Sequence, residues 1–171
     1  MKKIMFLFVL TLSFTSVGQS LLKDEVDDFT KKEIKETEWE VFTRYFHSYI
    51  RFRKVDSEFL MDFKMWRANG SVFSVNEGET LYFKFTDGEV MKIQNSNYEI
   101  TGYGDGATNI SGSGALGIYL KCNISKDQLE ILSTKEINQL RIYTSNGYIE
   151  NDVKPKFAEE VQNLANLILK S

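Results

Sequence analysis

The chain has 171 residues, 42% of them hydrophobic, 13% aromatic and 26% charged, with one proline and one cysteine. That is enough apolar material for one sizeable core, too little proline for a linker between two domains, and no basis for an intramolecular disulfide framework. A formal charge of −3 argues against nucleic acid as a partner. The single histidine, His47, removes His-based triads and multi-histidine metal centres from consideration.

Residues 1–18 read as a targeting segment. Lys2 and Lys3 precede an apolar run over 4–14 that is short for a bilayer span, and Ser16-Val17-Gly18 offers a small-x-small cleavage pattern. The expectation is a mature chain from Gln19, periplasmic or secreted, without a transmembrane segment. Residues 19–32 are polar and dense in charge, which predicts a loosely held arm or a short solvated helix. The remaining 33–171 should form a single domain.

From 33 to 53 the chain is aromatic and β-branched. Trp39, Phe42, Phe46 and Tyr49 also fit helical spacing, but the composition favours strand. No glycine or proline marks where so long a run breaks. Residues 44–54 contain no acidic side chain. Read as one strand, they set Tyr45, His47, Tyr49, Arg51 and Arg53 on the face opposite Phe46, Ile50 and Phe52. Rings beside cations suit sugar rings, anionic glycans or a partner protein's surface. Tyr45, His47, Tyr49 and Arg53 are therefore the candidate ligand-binding residues. The competing reading is a solvated face on which Arg51 answers Asp62.

Turn chemistry then organises the chain. A turn at Val55-Asp56-Ser57-Glu58 sets Ile50 and Phe52 against Met61 and Phe63, and Arg51 against Asp62. A three-residue loop Ala68-Asn69-Gly70 would place Met65 opposite Phe73. Asn76-Glu77-Gly78 would place Phe73 opposite Leu81. Over residues 80–93, Leu81, Phe83 and Phe85 alternate with Tyr82, Lys84 and Thr86. The loop Thr86-Asp87-Gly88 keeps apolar residues in register, Phe83 with Met91 and Leu81 with Ile93, and needs Gly88 in the left-handed region. Four such turns predict an antiparallel meander.

Residues 101–117 are glycine-rich and predict a surface loop. The G-x-G-x-x-G match at Gly112, Gly114 and Gly117 lacks the strand-then-helix context of a dinucleotide site. In residues 117–124, Ile118, Leu120, Cys122 and Ile124 share a strand face, so Cys122 reads as a buried hydrophobe. Ser125-Lys126-Asp127-Gln128 is a capping box and opens a helix over about 125–133. Residues 140–153 read as a hairpin around Ser145-Asn146-Gly147, with its register open. Pro155 suits a helix start, and Phe157, Val161, Leu164, Ala165 and Ile168 form a helical stripe.

Asp28-Phe29-Thr30 with Trp39, and the stretch from Arg141 to Glu150, RIYTSNGYIE, resemble segments of small exported proteins of unassigned function from Bacteroidota-type bacteria. The resemblance implies export and one domain; it brings no catalytic residues. The expected fold is α+β: an antiparallel β-meander sheet with a short capped helix and a C-terminal helix on its apolar face. A β-sandwich or half-barrel is the alternative. Three functions compete. The first is a non-catalytic exported binding or accessory module with a glycan or envelope protein as partner. The others are a carboxylate-dependent hydrolase and a structural or assembly envelope protein. The sequence names no catalytic, cofactor or metal residues. A deep pocket with two close acids would favour the hydrolase, a broad exposed aromatic face the binding module, and a self-complementary apolar patch the assembly protein.

Overall fold

Period-two alternation governs most of the chain, and the computed structural model, which describes residues 20–44, 47–68, 71–103 and 115–171, is accordingly rich in strands. In chain order the elements are β1 (Leu21–Val26), β2 (Glu33–Thr37), β3 (Glu40–Thr43), β4 (Ser48–Val55), β5 (Glu58–Ala68), β6 (Ser74–Val75), β7 (Thr80–Phe85), β8 (Val90–Gln94), β9 (Glu99–Ile100), β10 (Gly102–Tyr103), β11 (Ala115–Asn123), α1 (Lys126–Thr134), β12 (Ile137–Thr144), β13 (Gly147–Asp152) and α2 (Pro155–Lys170). The fold is mixed α+β, with antiparallel sheets. The expected leader, Gly112 and Gly114 all lie outside the described residues.

Two main sheets form. The larger runs β1-β2-β4-β5-β11-β10, with β3 also on β4; the smaller runs β13-β12-β7-β8. They join at one edge, where Asn95 bridges Cys122 and the Ser96 N–H donates to the Lys121 carbonyl at 2.7 Å. Their apolar faces meet through Phe42, whose ring stands edge-on to Phe63 at 6.2 Å and to Phe83 at 5.7 Å. All three rings are fully buried, and burying such a side chain contributes about 1.5–3 kcal/mol. The α2 stripe of Phe157, Val161, Leu164, Ala165 and Ile168 is buried as its spacing requires.

Local chemistry sets the breaks that the 33–53 run left open. Between β2 and β3 the Thr37 hydroxyl accepts the Phe52 N–H at 3.0 Å, where a ladder carbonyl would otherwise stand. After β3 the Ser48 hydroxyl accepts the Thr43 N–H at 3.0 Å, and the chain turns through His47 at a φ of 36°. The break is therefore made by hydroxyls, not by glycine or proline.

Several registers match the expectation. Ile50 pairs with Phe63, Phe52 with Met61 and Arg51 with Asp62. Phe83 pairs with Met91 and Leu81 with Ile93, around Gly88 at a φ of 89°. The capping box is made in both directions, Gln128 N–H to Ser125 Oγ at 3.1 Å and Ser125 N–H to Gln128 Oε1 at 2.9 Å.

The single meander is corrected. Met65 pairs with Ile118 of β11, not with Phe73, and Leu81 lies between Ile93 and Ile142. Residues 71–79 instead cross from one sheet to the other, and only Ser74–Val75 pairs, with β9. The reason is burial: β5 is apolar enough to be covered by a second long strand, which the short 71–75 segment is not. Residues 21–26 are also not a loose arm or a helix; they form β1 on the edge of the larger sheet, paired with β2.

Candidate functional site

Each sheet turns one face to the core and one outward, and the two outward faces differ. On the larger sheet the outward residues of β4, β5 and β11 include Tyr49, Arg51, Arg53, Asp62, Lys64, Tyr119 and Lys121. Asp62 is fully buried yet charged. Arg51 Nε reaches its Oδ2 at 2.7 Å, and Arg53 reaches Oδ2 at 2.6 Å and Oδ1 at 2.8 Å; Arg51 also holds Glu36 at 2.9 Å. Burial pushes the Asp62 carboxyl up, but the hydrogen bonds and charges of Arg53 and Arg51 outweigh it and hold it below the usual carboxylate range. Trp39, carried over this face by the β2–β3 break, lies 4.7 Å from the Arg51 guanidinium and 4.0 Å from the Lys64 ammonium. Lys64 is 6% exposed and has no ion-pair partner among the described residues. Burial and the Arg51 charge hold it below the usual lysine range.

This packing revises the continuous basic-aromatic strand. Tyr45 lies outside the described residues. His47 sits in a turn, stacked on Trp66 at 4.1 Å between ring centroids. Tyr49 is half-buried beside Lys64, and Arg53 is committed to Asp62. His47, Tyr49 and Arg53 do reach one face, but as parts of a packed layer and not as a free stripe along one strand.

The outward face of the smaller sheet is open. Its register sets Lys92 beside Tyr82, Tyr82 beside Arg141 and Arg141 beside Glu150, with Tyr143 beside Tyr148 in the adjoining row. Tyr82 and Tyr143 meet edge-on at 5.6 Å, and Tyr143 and Tyr148 lie tilted at 6.0 Å. Tyr148 is 59% exposed and Tyr143 37%. Arg141 lies 4.6 Å from the Tyr148 ring while its Nε donates to Glu150 at 2.7 Å. A groove of about 320 Å³ runs between Tyr82, Lys84, Gln139, Arg141 and Tyr143.

These tyrosines went unnoticed in the sequence, although a signal was there. They occupy the parity opposite Leu81, Phe83, Leu140 and Ile142. A two-residue loop at Ser145-Asn146 pairs like with like, Tyr143 with Tyr148 and Ile142 with Ile149. Gly147, at a φ of 107°, starts the return strand in a conformation other residues rarely adopt.

The carboxylate chemistry of a hydrolase finds less support. Glu40 is held above the usual range, first by burial and then by the Glu160 and Glu38 charges. The larger acid-lined cavity, about 760 Å³, instead carries Asp87, Glu136 and Glu159, and there Lys135 pairs with Asp87 at 2.8 Å and lowers its pKa. No group of three or more His, Cys, Asp or Glu able to hold a metal occurs among the described residues. Cys122 is buried, and burial pushes its thiol up to about 12. No helix among the described residues is long and apolar enough to cross a membrane.

No protein family, curated protein or solved structure matches the chain.

Proposed function

We propose that the chain is an exported, non-catalytic binding module that takes a polysaccharide on the outward face of the smaller sheet. The observation that carries this reading is the tyrosine cluster of half-buried Tyr82 with exposed Tyr143 and Tyr148, set among hydrogen-bonding side chains. Tyrosine rings offer stacking area at low entropic cost, and Gln139, Lys84, Arg141 and Glu150 bring hydrogen-bonding groups to the same face. An apolar protein partner would call for aliphatic cover, and among the described residues of this face only Val90 supplies it. Cations beside the rings favour chains that carry some acidic units.

The test is affinity electrophoresis and calorimetry of the chain from Gln19 with neutral and acidic polysaccharides. Weak, salt-sensitive binding that Tyr148→Ala reduces about tenfold supports the reading. Binding that is unchanged by Tyr143→Ala and Tyr148→Ala together overturns it. Export is tested separately: intact mass from the exporting host should place Gln19 at the N-terminus.

A further inference from the structure

The outward face of the smaller sheet is uneven in charge. With its strands ordered β8-β7-β12-β13, two rows cross it: Lys92, Tyr82, Arg141 and Glu150, then Val90, Lys84, Gln139 and Asp152. At the β8 and β7 side the cations are free. Lys84 and Lys92 are exposed, and neither has an ion-pair partner among the described residues. Lys84 lines the groove beside Tyr82, and the Lys92 ammonium stands 5.5 Å from the Tyr82 ring.

The β12 and β13 side is the reverse. There the one cation is answered within the face, Arg141 Nε donating to Glu150 at 2.7 Å. Gln139 Nε2 donates to Glu150 at 3.2 Å and to Asp152 at 3.4 Å. Asp152 is exposed and has no ion-pair partner among the described residues. Tyr143 and Tyr148 lie on this same side. Free ammonium groups thus flank one ring, and a free carboxylate lies on the side of the other two. Three strand spacings, about 14 Å, separate β8 from β13, so a sugar chain laid across the strands meets both sides at once.

We propose that this face reads a polysaccharide whose acidic units are separated by neutral ones. Lys84 and Lys92 take the carboxylate or sulfate of an acidic unit seated at Tyr82. Tyr143 and Tyr148 stack the neutral units that follow. Asp152, with Glu150 beside it, repels any acidic group placed there, so a chain charged on every unit pays at the β13 side for what it gains at β8. The inference rests on the polysaccharide reading and deepens it. The rings supply stacking that tolerates many sugars, whereas the charges select the pattern of acid groups along the chain and the direction in which it lies.

Four probes carry the test. Hyaluronan has a carboxylate on alternate units, keratan sulfate has sulfates only, polygalacturonate has a carboxylate on every unit, and carboxyl-reduced hyaluronan has no charge. Calorimetry reads affinity for each, and melting temperatures check the variants, which should stay as stable as the parent because all the replaced groups are exposed. An exposed ion pair is worth a factor of up to about five. Hyaluronan or keratan sulfate should therefore bind about tenfold more tightly than the uncharged chain, and whichever does so identifies the anion. Lys84→Met with Lys92→Met should erase that preference and leave the uncharged chain's affinity as it was. Asp152→Asn should tighten polygalacturonate about threefold and leave hyaluronan unchanged. Binding that Tyr148→Ala weakens but the lysine pair does not move overturns this inference and leaves the tyrosine face standing. Polygalacturonate bound as tightly as hyaluronan, and indifferent to Asp152→Asn, overturns it too. Failure of all four probes to bind removes both claims together.

Discussion

On the larger sheet three of the outward cations are taken up by the protein itself. Arg51 and Arg53 share the buried Asp62, and Lys64 lies under Trp39. On the smaller sheet Tyr148 keeps more than half its surface in water and Tyr143 more than a third, while Tyr82 is half-buried. Both faces combine aromatic rings with cations, so composition does not separate them. What separates them is burial: on the larger sheet the central carboxylate is fully buried and Trp39, from the β2–β3 break, lies over the cations, whereas the Arg141–Glu150 pair of the smaller sheet stays partly exposed. A basic-aromatic pattern offers a surface to a ligand only where the fold leaves its rings in water.

The sharpest way to break this comparison is Asp62→Asn. It leaves two arginines around a neutral amide in a dry site and should cost about 3–5 kcal/mol of stability, seen as a large fall in the urea midpoint. The same carboxyl gives a pH signature. Its folded pKa lies below the unfolded value of about 3.9. The stability it contributes is thus fully present above that value and is lost as pH falls through the lowered folded one. Asp62→Asn should therefore flatten the acid limb of a melting-temperature profile; an unchanged limb would mean that the network is not what holds this face.

Gly88→Val comes next. Nothing lies within 4 Å of a Cβ built there, so the penalty is purely one of backbone, at a φ of 89°. A loss of more than about 1 kcal/mol is expected, because a β-branched residue tolerates positive φ poorly. Since the loop holds β7 against β8, weaker polysaccharide binding should accompany the loss. Lys64→Met then tests the other face. Removing an ammonium buried without a counter-ion should raise stability by about 1 kcal/mol, and a fall would show that its contact with Trp39 outweighs desolvation. Tyr148→Ala should have the smallest effect on stability, within about 0.5 kcal/mol, because the ring is mostly in water.

How much of this was legible in the sequence depended on the range of the interaction. The β4–β5 pairing, the Gly88 loop, the Ser125–Gln128 box and the α2 stripe were readable because each is decided within a few residues. The partners of β5 and β7 were not, since β11 and β12 lie roughly fifty residues further along and the intervening turns conserve parity whichever strand they lead to. The breaks at Thr37 and Ser48 escaped because a hydroxyl replacing a ladder bond leaves no glycine or proline behind. The packing around the candidate residues was hidden for a related reason. Tyr49 and Arg53 look free until the Trp39 ring and Asp62 are set beside them, while Tyr82, Tyr143 and Tyr148 come together only when two sequence-distant hairpins are put in register.

The most direct measurement is a paired comparison of Tyr148→Ala and Tyr49→Ala, with melting temperature and polysaccharide affinity read on the same samples. Tyr148→Ala should lose about tenfold in affinity at an unchanged melting temperature. Tyr49→Ala should lower the melting temperature, because its ring packs beside Lys64, and leave affinity intact. The reverse pattern, with affinity following Tyr49 and stability following Tyr148, would return the binding face to the larger sheet and contradict the account.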